Sequence, residues 1–427
     1  MIIVSDISLP RLRYVLDYVF NMRLGVGYEL CEPGACRDDV AALYYTVQPQ
    51  PDRFSVPCSG LLSETDVWQF TPDLTFDNGQ PIIFADHSGC TFKFDVFAAI
   101  FWMLSRYEEY LPFLPDSHGR FSPSESFLGR NGLLETPVVD QWIMLIRNEL
   151  HRRFPDLLLK KESFEFRPTI DIDSPWSYLH KGPIRNAGGL LRDAARCNLA
   201  LVAERILVLL RLRRDPFFTF DYIDEIHQGL PLKYFVLVGR HGKFDKSVNP
   251  QNRAFRRFVQ QLCAKTDVGL HPSYAASLDE NRFAFEKADF EQIAGAKCNE
   301  SRQHFLRIVL PQYYQMLERV GIATDYSFGF AANIGFRAGT SRPFKFYDLQ
   351  NEKSTELTLQ PLVLMDVTLR NYMELTPQQA ASRIESLVAT IKLTNGTFTT
   401  LWHNQHFGQK EWCEWNQVYV EMLGSLR

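Results

Sequence analysis

The sequence predicts an α/β protein: a parallel (β/α)-type sheet in the second part of the chain, open or closed into a barrel, preceded by a smaller α/β domain. Three observations carry this expectation. At 427 residues the chain exceeds one typical domain. Its apolar share of 45% and charged share of 22% are ordinary for a globular protein with a sizeable core. Beyond residue 160, short apolar strands alternate with helical segments, the pattern of parallel strands joined by crossover helices. The charged stretch "FPDLLLKKESFEFRP", with a proline near each end, reads as the seam, which gives domains 1–160 and 161–427.

In the first domain "MIIVSD" reads as a buried strand. Ser8 is expected to cap the helix that follows, with Pro10 in its first turn and Gly25 at its stop. Leu12, Val15, Leu16, Val19 and Phe20 recur at helical spacing. "AALYYTV" and "QPIIFAD" read as further strands. In "FDVFAAIFWMLSRYEEYL" the stripe Phe94, Phe97, Ala98, Phe101 and Leu104 predicts a helix packed on a core. The charges of "SRYEEYLPFLPDSHGRF" read as a solvated loop, and 138–153 reads as one more helix. In the second domain "FRPTIDID", "PLKYFVLVG", "KTDVGLHPSY", "KCNESRQHFLR", "TDYSFGF", "GFRAG", "PLVLMDV" and "FTTLWHN" read as strands.

A net charge of −4 gives no reason to expect nucleic acid as a partner. No apolar run is long enough to span a bilayer, and "MIIVSDISLP" lacks the features of a secretory signal. Eight scattered cysteines without a CxxC pair predict reduced thiols, and with the missing signal a cytoplasmic location.

The polar residues that stand out lie at predicted strand ends, where parallel sheets and barrels bind ligands. In "TIDID", Asp171 and Asp173 share one face because side chains alternate along a strand. His271 ends "VGLH", Arg302 and His304 share a face in "SRQHFLR", Arg337 stands in "GFRAGTSRPF", and His403 and His406 follow the last strand.

In these motifs the second domain resembles the polysaccharide deacetylase family, the NodB-homology domain of carbohydrate esterase family four. The family's fold is a distorted (β/α) barrel. "TIDID" looks like its first motif, which implies Asp171 as the catalytic base and Asp173 as a metal ligand. His271 in "GLHPSY" matches the metal-binding histidine of the second motif. "FRAGTSRPF" is similar to the third, so Arg337 is the arginine implied to orient the base, and "TDYSFGF" resembles a stretch found before it. Asp366 in "LMDVT" corresponds to the aspartate that tunes the acid. Leu401-Trp402-His403 matches the last motif, which implies His403 as the catalytic acid. The N-terminal segment resembles an uncharacterised domain that accompanies some bacterial members.

The second motif departs from the family pattern. Four residues after His271, where a second histidine is usual, stands Ala275. A catalytic zinc normally has three protein ligands and a water. His304 is the candidate replacement by its place along the chain, with Arg302 beside it as a source of positive charge. Trp176, Tyr274 and Trp402 are candidates to stack on sugar rings.

The expected activity is removal of an acetyl group from an N-acetylated sugar of a glycan or its precursor, with a divalent metal, zinc in the first instance. A metal acidifies water and polarises the carbonyl, the aspartate takes a proton, and a histidine delivers one to the departing amine. Two alternatives stand beside it. One is an inactive relative that binds glycan or scaffolds a complex. The other is a glycosidase, disfavoured because its two carboxylates would flank the scissile bond from opposed positions. Residues 181–214 carry eight Lys/Arg against Asp193 and Glu204, a local charge of +6. "NLALVAERILVLLRLRR" within them reads as an amphipathic helix packed over the barrel, with contact to a membrane surface or a lipid-linked glycan as the alternative. The oligomeric state is open at this level.

Overall fold

The computed structural model describes residues 1–35 and 41–427. The N-terminal part is built on a small all-parallel sheet, β1 (Ile2–Val4) between β2 (Glu29–Cys31) and β3 (Ala42–Tyr44), with a short antiparallel hairpin, β4 (Thr75–Asp77) and β5 (Gln80–Ile82), nearby in the chain. The helix Pro10–Leu16 begins with its proline as expected, but Leu9 rather than Ser8 is its cap, and no side chain bonds there. Ser8 instead accepts from the Arg13 guanidinium. Gly25 closes the extension of this helix in a left-handed conformation, φ 67°. The helix Val96–Leu104 is buried at all nine positions, so the expected aromatic stripe is part of a helix wrapped by core on every side.

The second part forms one nine-stranded, curled half-barrel sheet. Its strands are β6 (Glu165–Ile172), β7 (Lys233–Leu237), β8 (Asp267–His271), β9 (Glu300–Ser301), β10 (Thr324–Phe328), β11 (Phe344–Asp348), β12 (Lys353–Pro361), β13 (Leu364–Met365) and β14 (Thr397–His403). The order is β11-β12-β10-β9-β8-β7-β6-β14-β13, parallel throughout except for the antiparallel β11–β12 pair at one edge. Two predicted features differ. "GFRAG" is a loop rather than a strand, and the β11–β12 hairpin was not among the expected elements.

The register aligns the carboxyl ends that matter. His403 lies opposite Asp171, and Leu237 lies opposite His271. Gly269 permits the close packing of β8 on β7, since a Cβ there would stand 2.5 Å from the Phe235 ring.

The two parts share one continuous hydrophobic core. Buried polar links also cross the predicted seam. Asp140 accepts from Arg23 (2.7 Å), from the Thr340 hydroxyl (2.7 Å) and from the Ser341 amide (2.9 Å). Arg11, fully buried, pairs with Glu352. The charges expected to form a solvated loop are instead interior: Arg106 binds Glu108 and Glu109, and Glu109 in turn holds Arg337 at 2.5 Å. A buried carboxylate between two guanidiniums is compensated, whereas either charge alone would be costly. Cys31 is disulfide-bonded, against the reduced set expected. Cys58, Cys90, Cys197, Cys263, Cys298 and Cys413 are free thiols, and Cys36 lies outside the described residues. The disulfide removes part of the support for a cytoplasmic location. No helix among the described residues is long and apolar enough to cross a membrane.

Asp140→Ala leaves Arg23 buried without this partner and removes three further bonds. It is expected to lower unfolding free energy by about 3 kcal/mol in urea titrations. A loss below about 0.5 kcal/mol would mean that the two parts are not held together through this residue.

Candidate active site

At the carboxyl ends of β6, β8 and β14 lies a cavity of about 180 Å³ whose lining includes Asp171, Asp173, His271, His304, His403 and His406. A larger open cavity of about 450 Å³, beside Arg240 and Asp289, has no histidine in its lining.

Asp171 and Asp173 face the same ring, as strand alternation predicts. His271 Nε2 is 3.6 Å from Asp171 Oδ2 and 3.5 Å from Asp173 Oδ1. His304 Nε2 is 3.6 Å from the same Asp173 oxygen. These distances are too long for good hydrogen bonds. Both Asp173 Oδ1 and His271 Nε2 are buried without a hydrogen-bond partner.

The other nitrogen of each ring is fixed. His271 Nδ1 donates to the Arg302 carbonyl (2.5 Å), and His304 Nδ1 bonds the buried carboxylate of Asp245 (2.8 Å). Each Nε2 is therefore turned toward Asp173. Donor atoms of Asp173, His271 and His304 all lie within 4.8 Å of one another. Ligands about 2.1 Å from a tetrahedral ion stand roughly 3.4 Å apart, so this donor set and its separations fit a divalent metal such as zinc. Each histidine also has the outer partner that metal-binding imidazoles use.

The electrostatics agree. Burial works to raise the Asp173 pKa, yet the nearby His304, His271 and His403 imidazoles hold it well below the usual carboxylate range. Burial works to lower the His271 pKa, but Asp171, Asp173 and the Arg302 carbonyl outweigh it and raise it. The pocket between these groups thus carries a surplus of negative charge that a proton or a cation neutralises.

The guanidinium beside Asp171 belongs to Arg302, not to Arg337. Arg302 Nη1 donates to Asp171 Oδ1 (2.9 Å), Nε donates to the Tyr326 carbonyl (3.2 Å), and the group lies 4.5 Å over the Phe235 ring, fully buried. Arg337 is committed to Glu109 and to the Gly329 carbonyl, because its loop packs against the N-terminal part rather than ending a strand of the sheet.

Across the cavity, Asp366 binds two histidines: His403 Nδ1 at 2.8 Å and His406 Nδ1 at 2.6 Å. It also accepts from the His403 amide at 2.9 Å. Donor atoms of Asp366, His403 and His406 also lie within 4.8 Å of one another, but these contacts are of hydrogen-bond length, so the carboxylate and the two imidazoles already satisfy one another. Burial opposes charging of His403, but the Asp366 carboxylate, followed by Asp173 and Asp171, pushes its pKa up to about 10. Burial lowers that of His406, and Asp366 does not fully offset it. Asp366 itself is held far below the usual carboxylate range by the two imidazoles despite burial. The His406 ring stacks on Trp412 at 3.6 Å.

The three aromatic candidates for sugar stacking do not reach the cavity. Trp176 is sandwiched into a core of Phe218 and Phe258, and Trp402, on the opposite face of β14 from its neighbour His403, is buried on Tyr419. Tyr274 is held by His118 (3.2 Å) and by Arg307 over its ring (4.8 Å). The residues that sequence reasoning missed are Asp245, Gln405, which donates to Asp173 Oδ2 (3.1 Å), and Arg120. Arg120 comes from the N-terminal part and reaches the cavity wall through the Phe305 carbonyl (2.8 Å) and the Tyr372 hydroxyl (3.2 Å). Phe305 and Leu306, which follow His304, both adopt left-handed backbone (φ 65° and 50°), a local strain of the kind that gathers at functional sites.

Residues 1–155 match a family of unknown function, DUF7033. No curated protein matches the chain. Among solved structures, a protein assigned as a polysaccharide deacetylase from Mycobacterium smegmatis is similar at 12% identity and a TM-score of 0.41, covering 62% of this chain and 85% of its own. The polysaccharide deacetylase Bc1974 from Bacillus cereus is similar at 12% identity and a TM-score of 0.27, covering 62% of this chain and 89% of its own. With likenesses this distant, functional weight rests on the residues of the site.

A histidine whose pKa is raised on folding stabilises the native state below its unfolded value of about 6.5 and loses that contribution as pH climbs through the folded value. With EDTA present, the stability gap between the parent chain and His403→Gln is expected to be widest near pH 6 and to narrow toward pH 10. A gap that does not change with pH would contradict the Asp366–His403 charge pairing.

Proposed function

We propose that the chain is a metal-dependent hydrolase that removes an acetyl group from an N-acetylated sugar. The observation that carries this reading is the pair of buried, unpartnered atoms Asp173 Oδ1 and His271 Nε2, facing each other at 3.5 Å with His304 Nε2 alongside. Asp173, His271 and His304 are the residues that hold the ion, His304 serving in place of the histidine absent at Ala275. When bound, such an ion polarises the acyl carbonyl and acidifies water.

The chain's own groups supply the rest. Asp171, whose Oδ1 is occupied by Arg302, keeps Oδ2 toward the His271 side of the cavity and serves as the base that accepts a proton from water. His403 retains its proton at neutral pH and faces the same cavity, where it donates to the departing amine. Asp366 fixes the ring through Nδ1 and leaves Nε2 for that transfer. The convergence of a third ligand in His304 favours this reading over an inactive relative, whose main support was Ala275. The sugar class comes from the motif resemblance of Asp171, Asp173, His271 and His403, and Arg120 is a cationic wall for a polar substrate.

Acetate release from N-acetylated sugar oligomers, measured with zinc present, tests this reading. Asp171→Asn is expected to retain zinc, followed by calorimetry, while losing at least roughly 100-fold in rate. His304→Ala is expected to lose both zinc and activity. Unchanged zinc affinity in His304→Ala, or full activity in Asp171→Asn, would overturn the assignment.

A further inference from the structure

The connection that leaves the carboxyl end of β6 contains a pair of helices, Pro183–Ala195 and Leu199–Leu209, most of whose leucines and isoleucines are on the outside while Val208 is buried. Leu199 is 73% exposed, Ile206 42% and Leu210 62%, and Ile184 and Leu191 on the first helix are 85% and 71% exposed. Positions 199, 203, 206, 207 and 210 form one face of the second helix. Three charged residues of the same helices, Asp193, Glu204 and Arg205, point inward. Arg205 is buried against Asp193 (2.7 Å) and over the Tyr178 ring (4.6 Å), and Glu204 accepts from the Tyr178 hydroxyl (3.0 Å). A helix facing water has the opposite arrangement, so the expected packing of this amphipathic stretch onto the barrel through its apolar side is inverted.

The hairpin is also held in a fixed pose. Asp215 at its end accepts from the amides of Ser177, Tyr178 and Leu179 (2.7–3.0 Å), and Arg185 donates to the Ser247 carbonyl (2.8 Å). Around the leucines stand exposed Arg192, Arg196, Arg211, Arg213 and Arg214, of which Arg196 and Arg211 have no ion pair among the described residues. The segment's charge of +6 decides what covers the face. A second copy in a two-fold pairing would bring the same positive charge against itself. An anionic bilayer offers apolar depth for the leucines and phosphate for the arginines. At 11 residues the second helix is about 16 Å long, suited to lying in the headgroup layer rather than crossing it.

We propose that this helical hairpin is a docking surface for anionic phospholipid bilayers. Its first helix begins ten residues beyond Asp173, in the connection that follows the carboxyl end of β6. The inference does not depend on the proposed chemistry.

The test is co-sedimentation of the full chain with phosphatidylglycerol-containing vesicles and with pure phosphatidylcholine vesicles, at low and high salt, alongside sedimentation velocity without lipid. Binding is expected to the anionic vesicles, weakened by salt. It is expected to fall at least about tenfold in a Leu199→Gln/Ile206→Gln/Leu210→Gln variant and roughly fivefold per charge in Arg196→Glu and Arg211→Glu, each checked for an unchanged melting temperature. No binding to anionic vesicles at low salt would overturn the proposal. So would binding that these folded variants retain in full, or self-association that they abolish while the parent ignores vesicles.

Discussion

Arg302 ties the site together through both its halves. Its side chain, buried beneath β6 and β7, holds the carboxylate of Asp171 and caps the Tyr326 carbonyl, while its own carbonyl takes the Nδ1 proton of His271. One residue at the end of a two-residue strand thereby fixes the orientation of the acid and the direction in which the histidine presents Nε2. The aromatic rings of Phe235 and Tyr326 replace water around the guanidinium, and Gly269 keeps β8 near enough for Phe235 to lie there. Were that cation removed, Asp171 would be buried without its main partner and His271 would keep only its backbone tether. The rest of the site depends on this arrangement.

The remainder of the site divides into two chemically distinct clusters on opposite walls. Between Asp173 Oδ1 and the two histidines the contacts exceed hydrogen-bond length and leave Oδ1 and His271 Nε2 unsatisfied; around Asp366 the contacts are of hydrogen-bond length. The first geometry suits an ion and the second suits a stored proton. Both clusters draw on strand ends, which brings the proposed metal ligands and the proposed acid into one small cavity.

Much of this was legible in the sequence because strand alternation is a strict geometric rule. It put Asp171 and Asp173 on one face, and order along the sheet put His271 and His304 on neighbouring strand ends. Loop geometry has no such rule. Arg337 carried the motif expected of the orienting arginine, yet its loop turns toward Glu109, and the cation beside Asp171 is Arg302, the residue that follows β9. Asp245 sits in "HGKFDK", an irregular stretch whose only signal was its position after β7. The interior pairing of Arg106, Glu108 and Glu109 was hidden because charged residues near a proline-rich turn resemble a solvated loop until a partner 228 residues away is known. The β11–β12 hairpin had a readable signal in the alternation of "STELTLQP" that the strand-helix pattern overshadowed. The outward leucines of 199–210 show the converse limit: periodicity identifies an apolar face but not the direction in which it points.

Anomalous diffraction at the zinc edge, from crystals of the full chain grown with zinc, measures the central claim most directly. The expected result is one strong peak about 2.0–2.2 Å from Asp173, His271 Nε2 and His304 Nε2. An absent peak, or one seated among Asp366, His403 and His406 instead, would contradict it.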